Sequence, residues 1–186
     1  MTSSLNRRIF LGTTAATAAT TLARGARANA PSEKVVVGVM GLSRGRSLSV
    51  SFSGRPNVEV KYVADVDTNR AAACAKLVAG TGAKAPLAVG DFRRILDDKS
   101  VDALVCAAPN HWHAPATILG VQAGKHVYVE KPCSHNAQEG EWMVAAARKH
   151  KRAVQMGSQR RSGAAIAEGI QRVQEGAIGK VYLARA

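Results

Sequence analysis

From Lys34 onward, apolar runs of strand length alternate with runs of helix length, and this alternation restricts the possible folds more than any other feature. Val35–Met40 is a continuous, largely β-branched run, the pattern of a strand buried on both faces. Val58–Ala64 reads as a second strand, Leu87-Ala88-Val89 as a weak third, followed by Val101–Ala107, His126–Val129, Val154–Met156 and Lys180–Ala184. The intervening segments predict helices at Arg46–Phe52, Asn69–Ala79, Phe92–Leu96, Ala114–Gln122, Trp142–His150 and Ala164–Gln174. Asp67 or Thr68 and Asp91 are suited to cap helices, and Asn136-Ala137-Gln138-Glu139 has the form of a capping box. Strands too apolar to face water, each followed by a helix, imply an α/β fold with a parallel sheet wrapped by helices on both faces. In such a fold the strands end on one edge of the sheet, and ligands bind along that edge.

A chain of 186 residues is long enough for one ordinary core with an appendage and too short for two full α/β domains. With 46% hydrophobic residues it is not a disordered chain. No run approaches the ~18 apolar residues of a membrane span, so stable membrane insertion is not expected. Cys74, Cys106 and Cys133 are far apart and form no C-x-x-C, which does not suit a disulfide framework or a zinc ribbon. A net charge of +13 raises the question of nucleic acid. Against it, Trp 2, Tyr 3 and Phe 3 offer little stacking surface for bases. The basic cluster Arg148-Lys149-His150-Lys151-Arg152 follows a periodic apolar run, where cations complement the carbonyl end of a helix. Nucleic acid is therefore not an expected partner, whereas a positive surface also attracts an anionic dinucleotide.

Arg7, Arg8, Arg24 and Arg27 lie within residues 1–28, which hold no acid. Asn6-Arg7-Arg8-Ile9-Phe10-Leu11-Gly12 leads into the Ala/Thr run Thr13–Ala23 and then Ala26-Arg27-Ala28, the layout of a secretory signal with an A-x-A cleavage site. The paired arginines before Ile-Phe-Leu resemble the twin-arginine signal of bacterial export, which carries already folded proteins. The expectation is cleavage after Ala28, engagement of the twin-arginine machinery, and a periplasmic or extracellular product.

The chemistry-bearing residues collect at strand ends. After the first strand comes Gly41-Leu42-Ser43-Arg44-Gly45-Arg46, an imperfect G-x-G-x-x-G in which Ser43 and Arg46 replace the second and third glycines. A glycine turn opening a helix lets backbone N–H groups approach a pyrophosphate, and Gly45 can absorb a shifted turn. Asp65 ends the second strand near the ~20-residue offset at which an acid accepts ribose hydroxyls, which favours NAD, while Arg70 leaves NADP open. The plainer reading is that Asp65 or Asp67 merely caps the next helix; the spacing assigns the ribose to Asp65 and leaves Asp67 as the cap. Pro109-Asn110-His111-Trp112-His113 and Glu130-Lys131-Pro132-Cys133-Ser134-His135 follow two later strands. Lys131 could exchange a proton with a substrate hydroxyl as hydride leaves its carbon, or be an ordinary surface lysine paired with Glu130. His111-x-His113 and Cys133-x-His135 could converge on a metal, but both are loop pairs without a carboxylate, and no metal is expected. Cys133 as a nucleophile is set against simple packing.

Together, Val37-Gly38-Val39-Met40-Gly41, Val63-Ala64-Asp65-Val66-Asp67, Pro109-Asn110-His111-Trp112-His113 and Glu130-Lys131-Pro132 resemble the glucose-fructose oxidoreductase/inositol dehydrogenase/rhizopine catabolism (Gfo/Idh/MocA) family. The resemblance runs from about Lys34 to the end. It implies a Rossmann doubly wound domain over residues 33–156 binding NAD or NADP, and residues 157–186 as the opening of a second α/β domain. By the same analogy Gly41, Ser43, Arg44 and Gly45 attend the pyrophosphate, Asp65 the adenosine ribose, and Pro109, Asn110 and His113 the nicotinamide side. Glu130 would touch the nicotinamide ribose, Lys131 would face both cofactor and substrate ahead of an often cis Pro132, and Gln159 would reach the substrate side. Ser43 departs from the family pattern.

The sequence expectation is thus the cofactor half of an exported oxidoreductase acting on a sugar, cyclitol or polyol. The complete protein is expected to be an oligomer, and the 186-residue chain, read as a fragment or truncated product, to be inactive alone. Two alternatives stand beside it: an NAD-dependent glycosidase of the same family, and a non-catalytic dinucleotide-binding remnant.

Overall fold

The computed structural model describes residues 34–185. The expected export signal at 1–28 lies outside them. In chain order the elements are β1 (Val35–Met40), α1 (Gly45–Ser53), β2 (Val58–Ala64), α2 (Thr68–Ala79), β3 (Leu87–Val89), α3 (Arg93–Asp97) and β4 (Ala103–Cys106). A 3₁₀ turn (Asn110–Trp112), α4 (His113–Gln122), β5 (His126–Val129), α5 (Ala137–His150), β6 (Val154–Met156), a second 3₁₀ turn (Gln159–Ser162) and α6 (Ala164–Gln174) follow.

All six strands are parallel, in the order β3-β2-β1-β4-β5-β6. This is the doubly wound Rossmann arrangement, with the strand order reversing between β1 and β4, and a crevice opens at such a reversal. Parallel pairing leaves both faces of each central strand in contact with helices, which is why the β1 and β4 runs are apolar without alternation. Met40, Ile95, Leu104, Cys106, Val121 and Met143 belong to one core, beneath α3, α4 and α5. Val37, Val39, Leu42, Val63, Cys74 and Val105 belong to the other, beneath α1 and α2.

Local signals explain where the helices begin and end. Asp67 accepts hydrogen bonds from the N–H groups of Asn69 and Arg70 and so caps α2. At α5, Asn136 accepts from the Glu139 N–H, and the Glu139 carboxylate reaches back to the His135 N–H. That is a capping box whose return bond falls one residue earlier than usual. Arg148, Lys149 and His150 occupy the last turn of α5, where the carbonyl ends favour cations. Among the described residues no helix is long and apolar enough to cross a membrane.

One expected element does not form. Lys180–Ala184 was expected to be a strand, but residues 180–184 carry no strand pairing. Tyr182 and Leu183 are 92% and 69% exposed there, and a strand needs a partner ladder for its N–H and C=O groups. The stretch after β6 is represented by α6, whose Ile166 and Ile170 are exposed.

Candidate functional site

The turn after β1 is fixed by backbone packing. Gly41 has φ +80° and donates from its N–H to the Ala64 carbonyl at the end of β2. A Cβ on Gly41 would lie 2.4 Å from both Cα and N of Ala108, so the turn rests directly on the backbone leaving β4. Gly45 is buried, and a Cβ there would stand 3.0 Å from Val39 Cγ1. It therefore allows the close helix–strand approach that the third glycine of a dinucleotide turn provides, one position before Arg46. Ser43 and Arg44 are exposed on the turn, and the N-cap residue Arg44 makes no side-chain capping bond to the start of α1. Uncapped N–H groups at a helix start favour an anion.

Asp65 is buried at the end of β2. It accepts from the Leu42 N–H at 2.7 Å and from the Asp67 N–H at 3.0 Å, so the carboxylate organises the glycine turn. Each carboxylate oxygen keeps a further lone pair for a hydroxyl donor. Arg70 Nη1 is 3.8 Å away. The two acids divide the roles: Asp67 caps the helix and Asp65 faces the crevice.

A cleft of about 510 Å³ runs between these groups and the end of β4. Gly41, Ser43, Arg44, Asp65 and Arg70 line one side, and Pro109, His111, Trp112 and Phe92 the other. Phe92 and Trp112 meet edge to face with centroids 5.9 Å apart. Arg70, which bears on NADP, and Trp112, within the Pro109–His113 motif, both line the cleft; Phe92 does so without having been singled out, and an aromatic just after the third strand was the available signal.

Glu130, at the end of β5, is 4% exposed, and neither carboxylate oxygen has a hydrogen-bond donor among the described residues. Arg44 Nε lies 3.6 Å from Oε1, linking this carboxylate to the cleft. A buried carboxylate without donors is costly, which marks Glu130 as a group awaiting a hydroxyl or amide partner. Burial, followed by the Glu130 charge, pushes the Tyr128 phenol above its ordinary pKa. Gly157 leaves β6 against this pair: a Cβ there would lie 2.4 Å from the Tyr128 hydroxyl and 3.4 Å from Glu130 Cδ.

Lys131 is exposed, and the Lys131–Pro132 peptide is cis. Asn110 is exposed in the 3₁₀ turn, and Gln159 is exposed with φ +51°. None of the three lines the cleft. His113 corrects an expectation. The ring expected on the nicotinamide side is 1% exposed, with Nδ1 on the Pro132 carbonyl and Nε2 on the Ala108 carbonyl. Both nitrogens are taken by backbone, so His113 presents neither to a ligand. The convergence of His111 and His113 on a metal fails for the same reason. Burial pushes the Cys106 thiol up to about 11, so it stays a protonated core group.

Residues 33–158 match the Gfo/Idh/MocA model, described as an oxidoreductase family with an NAD-binding Rossmann fold. The chain belongs to this family. An uncharacterised oxidoreductase of Bacillus subtilis is 28% identical over 152 residues, 81% of this chain and 43% of that protein. The inositol 2-dehydrogenase of Salmonella typhimurium is 31% identical over 128 residues, 68% of this chain and 36% of that enzyme. Among solved structures, a 3-ketoreductase from Actinomadura kijaniata in complex with NADP superposes with a TM-score of 0.71 at 23% identity. That match covers 79% of this chain and 46% of the ketoreductase, and it shares the fold. The chain thus spans less than half the length of these relatives.

The family implies NAD or NADP, and the residues present fit a dinucleotide. Gly41 leaves room where a side chain would strike backbone, Asp65 offers free lone pairs beside the cleft, and Glu130 is a buried acceptor without a donor.

Proposed function

We propose that this chain is the cofactor-binding part of an exported oxidoreductase that moves hydride between NAD and a hydroxyl-bearing carbon of a sugar, cyclitol or polyol. The observation that carries the reading is Asp65, a carboxylate at the end of β2 that both braces the glycine turn and faces the cleft. It suits the adenosine ribose hydroxyls and repels a 2′-phosphate, so NAD is preferred although Arg70 stands nearby. Ser43, Arg44 and Gly45 border the pyrophosphate path, Pro109 and Asn110 lie toward the nicotinamide, and Glu130 accepts from the nicotinamide ribose.

A bound nicotinamide supplies the hydride donor or acceptor. Lys131 then holds or releases the proton of the substrate hydroxyl, and Gln159 approaches the substrate side. The polyol substrate class is supported by the inositol 2-dehydrogenase and by a levoglucosan dehydrogenase from Pseudarthrobacter phenanthrenivorans, 33% identical over 91 residues. Export rests on Arg7-Arg8 and the Ala/Thr run behind them. Oligomer formation by the complete protein belongs to the same proposal.

Titration of the chain with NADH and NADPH, followed by tryptophan fluorescence at Trp112, tests the cofactor assignment. The expected result is tighter NADH binding that Asp65→Ala weakens. Equal or tighter NADPH binding, or an unchanged Asp65→Ala variant, overturns it. A second reading is supported by a glycosyl hydrolase family 109 protein of Stenotrophomonas maltophilia, 32% identical over 133 residues. A glycosidase cycle returns the cofactor to its starting state, so net reduction of added NAD by a polyol in the complete enzyme excludes it.

A further inference from the structure

We infer that His113 is a positioning residue that sets the Lys131–Pro132 backbone against the dinucleotide turn. The inference rests on the dinucleotide reading above and concerns how the cleft and the lysine loop are held in register. The imidazole is 1% exposed at the start of α4, between the loops that follow β4 and β5. Nδ1 lies 2.5 Å from the Pro132 carbonyl and Nε2 lies 2.8 Å from the Ala108 carbonyl. Carbonyl oxygens only accept, so the ring ties the two loops by donating N–H toward the carbonyls it faces.

The ring completes a continuous line of contacts. Gly41 rests on the Ala108 backbone, the Ala108 carbonyl meets Nε2, and Nδ1 meets the carbonyl of the residue that follows Lys131. The β1 end of this line has its own fasteners. The Ala107 N–H donates to Met40, and the Gly41 N–H donates to Ala64. Proline has no N–H of its own to contribute on the β5 side. Removing the ring therefore releases the Pro132 side and leaves the glycine turn in place. The consequence falls on the nicotinamide half of the ligand, and the adenosine diphosphate half is spared.

ADP and NADH separate these halves. In His113→Ala, NADH affinity should fall by about tenfold while ADP affinity stays within about twofold, the loss expected when two buried carbonyls lose a donor. Imidazole added to His113→Ala should restore NADH affinity by entering the vacated space. 1-Methylimidazole, which presents an N–H from one nitrogen at most, should not restore it. If His113→Ala no longer binds ADP, the same split is read in His113→Gln, whose amide keeps a donor for one of the two carbonyls. Parallel weakening of ADP and NADH in His113→Gln, rescue by both imidazoles, or unchanged NADH affinity in His113→Ala overturns the inference. A wild-type chain that binds neither ADP nor NADH is a different failure: it removes the dinucleotide site itself.

Discussion

Replacing Gly41 by alanine measures how closely the β1 turn rests on β4. Two costs act together at this position. The φ of +80° is the left-handed region, where an L-residue loses about 1–2 kcal/mol. The new methyl also meets Ala108 Cα and N at 2.4 Å and Ala107 C at 2.6 Å, all backbone atoms that no rotamer change can move. Overpacking of that kind costs about 1–3 kcal/mol, so Gly41→Ala should lose about 2–5 kcal/mol. Gly82 supplies the matched control, with φ +85° and nothing within 4 Å of its Cβ position. It should lose only the conformational part, about 1–2 kcal/mol. The unfolded-chain entropy that alanine removes is common to both variants and drops out of the difference. For a chain of this length the two losses correspond to drops in Tm of about 10 °C and about 4 °C. Urea or thermal unfolding followed by circular dichroism reads both. Equal destabilisation of the two variants would refute the close approach between the glycine turn and the β4 exit.

Three other outcomes follow from groups described by the structure. Lys61, which hydrogen-bonds Asp98, and then Ser100 hold the Asp98 carboxyl below the usual carboxylate range. The folded carboxylate binds a proton less readily than the unfolded one, so its stabilisation is complete above about pH 4 and is lost as pH falls below that. Asp98→Asn should accordingly lower stability at neutral pH and flatten the acid limb of a stability–pH curve. Lys125 is 4% exposed and donates to the Asp98 and Val101 carbonyls at 2.6 and 2.9 Å, while burial lowers its proton affinity. Lys125→Met leaves those acceptors short of a donor and should cost about 1–3 kcal/mol in urea unfolding. Iodoacetamide at pH 8 should label half-buried Cys133 before buried Cys74 and Cys106, as mapped by peptide mass spectrometry.

Burial on both faces writes itself as an uninterrupted apolar run at Val35–Met40, whereas Val58–Ala64, His126–Val129 and Val154–Met156 were legible as short β-branched stretches with polar residues among them; all four have the bounds the sequence indicates. Helix starts were legible where a side chain caps them, as at Asp67 and Asn136. Lys180–Ala184 misled because its composition suits a strand, but strand formation depends on a partner that composition does not encode. At the site, Gly41 and Asp65 could be read from spacing, since turn geometry and strand length fix their separation. His113 could not. Whether a histidine near a ligand faces it or braces the backbone behind it depends on carbonyls from two other loops, here Ala108 and Pro132. Gly45 stood out as the glycine of a shifted turn, but its packing role depends on Val39 in the neighbouring strand, which spacing does not show.

The sheet separates the molecule into two compartments, with Cys74 and Leu42 on one side and Ile95 and Met143 on the other. Side chains in different compartments share no partners, so the backbone plane acts as a mechanical partition that stops a void from spreading across it. Truncations such as Ile95→Val and Cys74→Ala should sum to within about 0.5 kcal/mol when combined, whereas two truncations on one side should interact. The helices bordering the cleft therefore rest on independent foundations. α1, which carries the glycine turn, settles on one, and α4, which carries His113, on the other. Softening one foundation shifts one wall of the cleft relative to its opposite, so a core substitution far from the cleft can alter its width without touching a lining residue.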